Sequence, residues 1–209
     1  MALPNQYDFV YLASASPRRA QLLQQIGVAH RPLEPGKQED AEAWEETRSR
    51  ELPMAYVQRV TLHKLAAARK RLAQRRLPPA PILVADTTVA LGRRILGKPA
   101  NRQQALDMLR SLSGRSHRVL TAVAVAGPQA SQHYMEVSVS RVRFAALSHQ
   151  TLERYVASGE PMGKAGGYAV QGRIAAWIEH LEGSYSGVMG LPLHETLQLL
   201  ARARVRVAP

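Results

Sequence analysis

Ser14-Ala15-Ser16-Pro17-Arg18-Arg19 gathers two hydroxyls and two guanidiniums within six residues. The preceding Phe9 to Ala13 reads as a short apolar strand, and Ser16-Pro17 opens an amphipathic helix through Leu22, Leu23 and Ile26 to a stop at Gly27. Ser16 suits the N-cap and Pro17 the first helical position, where its missing N–H costs nothing. A strand-to-helix junction of this kind presents free backbone N–H groups and the positive end of the helix dipole, and arginine forks grip phosphate oxygens in bidentate fashion. The segment therefore suits an anion, although from spacing alone it reads equally well as a capped surface helix with solvated arginines.

Asp86 is the second candidate. It lies within Pro81 to Val89, an otherwise apolar strand, with Thr87 and Thr88 directly after it. A carboxylate in such a strand needs a cation, a metal or several donors, because burying it unpaired is costly. Active sites in α/β sheets also gather at strand ends. Standing alone, Asp86 would read as a turn or cap acid. Glu39 and Asp40, in Gly36-Lys37-Gln38-Glu39-Asp40, could supply a second carboxylate for Mg²⁺, which prefers oxygen ligands. They could equally belong to an acidic surface loop that continues through Glu42, Glu45 and Glu46. Lys64, Lys98 in Gly97-Lys98-Pro99, and Lys164 in a glycine-rich loop from Gly163 to Gly172 could neutralise phosphate charge, or lie on the surface as most lysines do.

Other chemistries find little support. His63, His117, His133, His149, His180 and His194 are scattered, and no pair at i, i+4 frames a glutamate as zinc proteases require. Ser184 and Ser186 lack the glycine-flanked nucleophile elbow of an esterase. The absence of cysteine excludes disulfides, thiolate metal sites and a cysteine nucleophile.

The elements that position these residues alternate between strand and helix, giving an α/β class with a mixed sheet. Residues 53 to 76 read as a long helix ended by Leu77-Pro78-Pro79, and Gly92-Arg93 as a hairpin tip before Ile95 and Leu96. Residues 101 to 112 read as helix, 117 to 126 and 134 to 145 as neighbouring strands, and Thr151 to Ala157 as a short helix. Ile174 to Ile178 reads as a strand and Pro192 to Ala203 as a closing helix. No repeat or low-complexity linker divides the 209 residues, so a single domain over 1–209 is expected.

Hydrophobic residues make up 45% and charged residues 21%, the balance of a packed globular protein and not of a disordered one. No apolar run is long enough to span a membrane and no signal-like N-terminus is visible, so a cytoplasmic location is expected. The net charge of +12 attracts polyanions. Its clusters, Arg69 to Arg76 and Arg202 to Arg206, read as solvated surface. With two Phe and two Trp, the chain has few aromatics to stack bases, so nucleic acid is not expected as a partner.

Six ordered motifs carry a resemblance: "LASASPRR", "VADTTV", "GKP", "LSGRSHRVLTAVAV", "YVASGEPMGKAGGYAVQG" and "GSYSGVMGLPLHET". They resemble the Maf family of nucleotide pyrophosphatases from about residue 10 to about residue 200. The resemblance implies an elongated α/β fold like that of inosine triphosphate pyrophosphatases, a divalent cation (Mg or Mn), homodimers, and hydrolysis between the α- and β-phosphates of a nucleoside triphosphate. It implies that Asp86 is the catalytic base and a metal contact and that Glu39 is the other acid and metal ligand, with Asp40 able to share or take that role. It also implies that Lys64 and Lys98 lie near the phosphates, that Ser16 and Arg19 belong to the anion-binding entry, and that Lys164 binds substrate. Arg18, Thr87 and Gln171 match the selectivity positions of the subtype acting on dTTP and UTP. Gln171 suits a uracil or thymine imide, since one amide can both donate and accept. Two other readings stay open: a Maf-type enzyme for 7-methyl-GTP or another modified nucleotide, and a basic nucleic-acid-binding regulator with a vestigial site.

Overall fold

A computed structural model describes residues 7–36, 39, 43–127 and 132–207. Its strands are β1 (Val10–Leu12), β2 (His30–Pro32), β3 (Ile82–Leu91), β4 (Arg94–Leu96), β5 (Ser116–Ala126), β6 (His133–Phe144) and β7 (Ile178–Glu182). Its helices are α1 (Pro17–Gln25), α2 (Pro53–Gln74), α3 (Arg102–Leu112), α4 (His149–Ala157), α5 (Tyr185–Met189) and α6 (Leu193–Arg202). The seven strands form one sheet in the order β2-β1-β3-β5-β6-β7, with β4 added to β3. Pairings of β1 with β2 and β3 are parallel and the others antiparallel, so the expected mixed α/β sheet is present.

The long apolar run of β3 is nearly all buried because this strand is central and covered on both faces. Alternation along it sorts the residues. Ile82, Val84 and Ala90 face α2, where they meet Leu65, Ala68, Val57 and Val60. Leu83, Ala85 and Val89 face the other way. There the apolar packing splits into two cores: Leu83 and Ala85 pack with Leu22, Leu23, Leu199 and Leu200 of α1 and α6, whereas Val89 packs with Leu109, Leu112, Phe144 and Leu152 around α3 and α4.

Between the two cores this face turns polar. Thr87, Thr121 and Ser138 stand directly opposite one another across β3, β5 and β6, with the Thr87 and Thr121 hydroxyls 2.9 Å apart. Helix α5 docks on this waist, where Thr121 Oγ1 donates to the Gly187 carbonyl at 2.7 Å. Its N-cap, Ser184, accepts from Gly187 N at 2.9 Å and donates its backbone N–H to Ser140 Oγ at 2.9 Å. The protein thus consists of two packed ends joined by a sheet whose middle is hydroxyl-lined.

β3 also carries an interruption along one edge. Its first residues pair with β1 through Ile82 and Leu83, and its last with β4 through Val89, Ala90 and Leu91. Residues 84–88 have no strand partner on that side, and the chain leaving β1 for α1 passes this opening. A sheet that forks at the carboxyl end of a parallel strand leaves a crevice there.

The structure departs from the periodicity at residues 173–177. These form a 3₁₀ segment with only Ile174 buried, and the strand begins at Ile178. Glu160 accepts the Arg173 backbone N–H and Gly172 O accepts Ala175 N–H at 3.0 Å, so these donors are turned away from any ladder.

Candidate active site

The crevice is a cavity of about 460 Å³, within the range of small-molecule sites. Nine of the ten residues singled out from the sequence line it: Ser16, Arg18, Arg19, Lys64, Asp86, Thr87, Lys98, Lys164 and Gln171. Because the unpaired stretch of β3 runs along it, the cavity is reached by both faces of that strand. Asp86 enters from the α2 side and Thr87 from the waist.

Asp86 is 5% exposed, and α2 supplies its counter-charge. Lys64 Nζ donates to Asp86 Oδ1 at 2.6 Å and to Glu45 Oε1 at 2.8 Å, while Lys98 Nζ is 2.7 Å from Glu45 Oε2. Burial alone would raise the Glu45 carboxyl, but the Lys64 and Lys98 ammoniums overcome this and hold it below its ordinary value. Thr88, two residues beyond Asp86 on the same face, is 1% exposed. Its Oγ1 has no hydrogen-bond partner among the described residues, although Thr88 lines the cavity.

Ser16 occupies the N-cap of α1 with Pro17 after it, but its side chain makes no capping bond. Ser16 lines the cavity, and its hydroxyl has no hydrogen bond among the described residues. Arg19 is fixed: Nε donates to the Gly190 carbonyl at 2.8 Å and Nη1 to Ser14 Oγ at 3.0 Å. Burial draws its pKa down, and the charges of Asp86 and Glu45 draw it back. Nη2 keeps no hydrogen bond among the described residues. Arg18 lies at the other side, where its charge acts with burial to lower Lys164.

The Lys164 and Gln171 loop is held from behind. Gly166 has φ +67°, and a Cβ there would meet Val89 at 2.9 Å, so glycine lets the loop lie against β3. Glu160 accepts from Tyr155 Oη at 3.0 Å and from Arg173 N at 3.1 Å, and its backbone carbonyl accepts from Lys164 Nζ. A Cβ at Gly172 would fall 1.8 Å from Glu160 Oε1. Gln171, next to that glycine, is exposed in the cavity and makes no side-chain hydrogen bond among the described residues.

Glu39 is the exception. It is not part of the cavity lining, and its oxygens are engaged by Arg71 Nε at 2.8 Å, Arg71 Nη2 at 2.5 Å and Gly36 N at 3.1 Å. These bonds, the Arg71 pair foremost, hold its carboxyl down at about 2. Asp40 lies outside the described residues. The sequence does not single out Glu45, because nothing in the run Glu42, Glu45, Glu46 marks one acid above another. Nor does it single out Arg71, whose signal is its place on the buried stripe of α2.

The model of the family described as Maf-like protein matches residues 9–203. The chain belongs to the Maf family. A Polaromonas dTTP/UTP pyrophosphatase is 60% identical over 200 residues, covering 96% of this chain and 98% of the relative. A dTTP/UTP pyrophosphatase of Albidiferax ferrireducens is 56% identical over 193 residues, covering 92% and 96%. One from Cupriavidus pinatubonensis is 54% identical over 200 residues, covering 96% and 99%. The Maf motifs read from the sequence, apart from the Glu39 position, thus converge on one cavity.

Proposed function

We propose that this protein hydrolyses dTTP and UTP to the nucleoside monophosphate and pyrophosphate, as its named relatives do. The observation that carries this reading is the placement of Asp86 and Thr87 on opposite faces of the unpaired stretch of β3. One end of the cavity thereby gathers a carboxylate and cations, and the other gathers Arg18, Thr87 and Gln171. A triphosphate suits the first end and a pyrimidine imide the second.

In this reading the α1 N-terminus and the uncommitted Ser16 hydroxyl bind phosphate oxygens. Arg19, pinned by Gly190 and Ser14, presents its free Nη2 as a fixed fork, and Lys64 and Lys98 neutralise charge that builds on the leaving pyrophosphate. Asp86 accepts a proton from the attacking water as its oxygen bonds to phosphorus and the α,β-anhydride bond breaks. Gln171 donates to a pyrimidine carbonyl and accepts from the ring N–H. The Asp86 carboxylate offers oxygens, the ligand type that Mg²⁺ or Mn²⁺ prefers. Asp86 would hold the cation, which when bound lowers the charge on the phosphates.

The same reading includes a homodimer, which rests on the family resemblance, and a cytoplasmic location. Among the described residues no helix is long and apolar enough to cross a membrane. Nucleic acid has no part in it, since the basic runs Arg69 to Arg76 and Arg202 to Arg206 carry no aromatic side chains between them.

The deciding experiment is turnover of a nucleotide panel with Mg²⁺ and Mn²⁺, scored for pyrophosphate release. Preference for dTTP and UTP, lost on chelation with EDTA and restored by either cation, is expected. Preference for 7-methyl-GTP, or salt-dependent DNA retention without turnover, would replace the proposal with one of the other two readings.

A further inference from the structure

Gln171 alone does not account for a preference for uracil and thymine. It lines the cavity, and its amide makes no side-chain hydrogen bond among the described residues, so it can turn over and exchange the places of its donor and its acceptor. In one setting the NH₂ donates to the 4-carbonyl of an imide and the oxygen accepts from the ring N3–H. In the other the oxygen accepts from the 4-amino group of cytosine and the NH₂ donates to its N3. Imide and cytosine are separated only by a neighbour whose own donor or acceptor character is fixed.

Thr87 is such a neighbour, and the residue that fixes its character is not part of the cavity lining. Thr121 is 1% exposed and stands opposite Thr87 across the β3 and β5 pair. Its Oγ1 lies 2.7 Å from the Gly187 carbonyl oxygen and 2.9 Å from Thr87 Oγ1. A carbonyl only accepts, and a threonine hydroxyl has one proton to donate and two lone pairs to accept with. The Thr121 proton therefore goes to Gly187, and at the contact between the two threonines it is Thr87 that donates. The chain runs one way, from Thr87 to Thr121 to Gly187. Thr87 lines the cavity with its proton already committed, so towards a ligand it is an acceptor only.

We infer that Thr121 is a positioning residue for base selectivity: by taking the Thr87 proton it makes Thr87 a fixed acceptor, which suits the N3–H of uracil or thymine and repels the N3 lone pair of cytosine. The inference rests on the nucleotide pyrophosphatase reading above and deepens it. With an imide bound, N3–H is shared between Thr87 Oγ1 and the Gln171 amide oxygen as a three-centre bond. With cytosine bound, Gln171 can turn over to suit it, but Thr87 cannot. Turning the Thr87 proton towards the ligand would set two lone pairs against each other at the 2.9 Å contact with Thr121. Turning the Thr121 proton to Thr87 instead would open the Gly187 bond that seats α5 on the waist.

The test is kcat/KM of the full chain for UTP and CTP, scored by pyrophosphate release. The parent should prefer UTP by about tenfold to a hundredfold, the range for one polar partner left unsatisfied in a site. Thr121→Val keeps the branched shape but has no hydroxyl, which frees the Thr87 proton to donate or not as the ligand requires. The ratio of UTP to CTP should then fall towards one, while Thr121→Ser, which restores the one-way chain, should return the parent ratio. Loosening of α5, and with it of the Gly190 carbonyl that holds Arg19, would instead lower both substrates alike. An unchanged ratio in Thr121→Val therefore overturns the proposal. So does a parent with equal kcat/KM for the two substrates, a measurement that decides even where Thr121→Val fails to fold. Gln171→Ala adds an independent check: kcat/KM for UTP should drop while the preference over CTP persists, and a preference abolished there would assign the selectivity to Gln171 and overturn the role of Thr121. No turnover of UTP or dTTP by the parent counts against the pyrophosphatase reading itself, whereas turnover of UTP and CTP alike counts only against Thr121.

Discussion

At the scale of single residues, the site depends on how each polar atom is committed. Asp86 has one oxygen held by Lys64 and is set in a strand that packs on both faces, so Asp86→Asn should leave the fold in place. It removes the base and a metal contact with little change in volume, and kcat should fall by roughly 100- to 10,000-fold. A folded Asp86→Asn protein turning over at near-parent rate would reject that role. Gln171 is uncommitted, as a group that reads a ligand must be. Gln171→Glu replaces an NH₂ donor by an acceptor at constant length, so a pyrimidine carbonyl meets repulsion in place of a hydrogen bond. An unsatisfied partner costs about 1–3 kcal/mol, so kcat/KM for dTTP and UTP should fall by about ten- to a hundredfold. A cationic base such as 7-methylguanine should lose less. Equal kcat/KM for dTTP and UTP in parent and variant would move base selectivity to Arg18, Thr87 or elsewhere.

At the scale of elements, the sequence disclosed those whose faces differ and concealed those at edges. The apolar run of β3 is legible because both of its faces must be dry, and the alternation of β6 because one of its faces must be. β2 is only His30, Arg31 and Pro32 on the sheet edge, and α5 is a five-residue helix capped by Ser184, so neither has an apolar period to detect. The apolar run from Ile174 to Ile178 was misleading for the converse reason. Its start is bent by Glu160 and Gly172, and the true strand, Ile178–Glu182, is an edge strand with polar residues along it. The same limit explains the site. Motifs on β3 and α1 could be placed, but Glu45 arrives on a short turn whose position depends on Tyr56 and Arg59 of α2, a pairing that spacing does not encode. The loop bearing Gln171 invites a test at this scale. Glu160→Ala strips the Arg173 N–H and the Tyr155 hydroxyl of their acceptor, leaving the loop underdetermined. KM for dTTP should rise by about tenfold for a lost bond of roughly 1.4 kcal/mol, with kcat changed much less. Glu160→Gln, which keeps an acceptor oxygen, should recover most of the affinity. A variant in which kcat falls while KM stays put would assign Glu160 to the chemistry instead of to the loop.

At the scale of the whole molecule, the polar waist separates two apolar cores that need not respond alike to acid. The core around α3 and α4 contains His117, which is 2% exposed and packed against Phe144 and Tyr168. Its Nε2 lies 2.7 Å from the Tyr168 hydroxyl, and Tyr168 lines the cavity, so this core is coupled to the site. Burial, the larger influence, pushes His117 down to about 4, whereas an unfolded chain would titrate it near 6.5. Between those two values the unfolded chain binds a proton that the folded one refuses. Stability from this group is therefore complete above pH about 6.5 and declines as the pH falls toward about 4, with a slope of at most about 1.4 kcal/mol per pH unit. His117→Gln keeps a polar partner for Tyr168 but does not titrate. It should be less stable than the parent at pH 7.5, since the side chain packs less well, and should lose less stability than the parent on going to pH 4.5. Urea unfolding midpoints at intervals between those pH values measure both slopes. The range stops above the region where Glu39, held at about 2, begins to contribute, since a depressed carboxyl loses its stabilisation only as the pH falls from about 4.5 toward 2. Parallel slopes for parent and His117→Gln would mean that His117 is protonated at little cost in the folded protein. The acid sensitivity of the fold would then have to come from carboxylates such as Glu45, whose low pKa depends on Lys64 and Lys98.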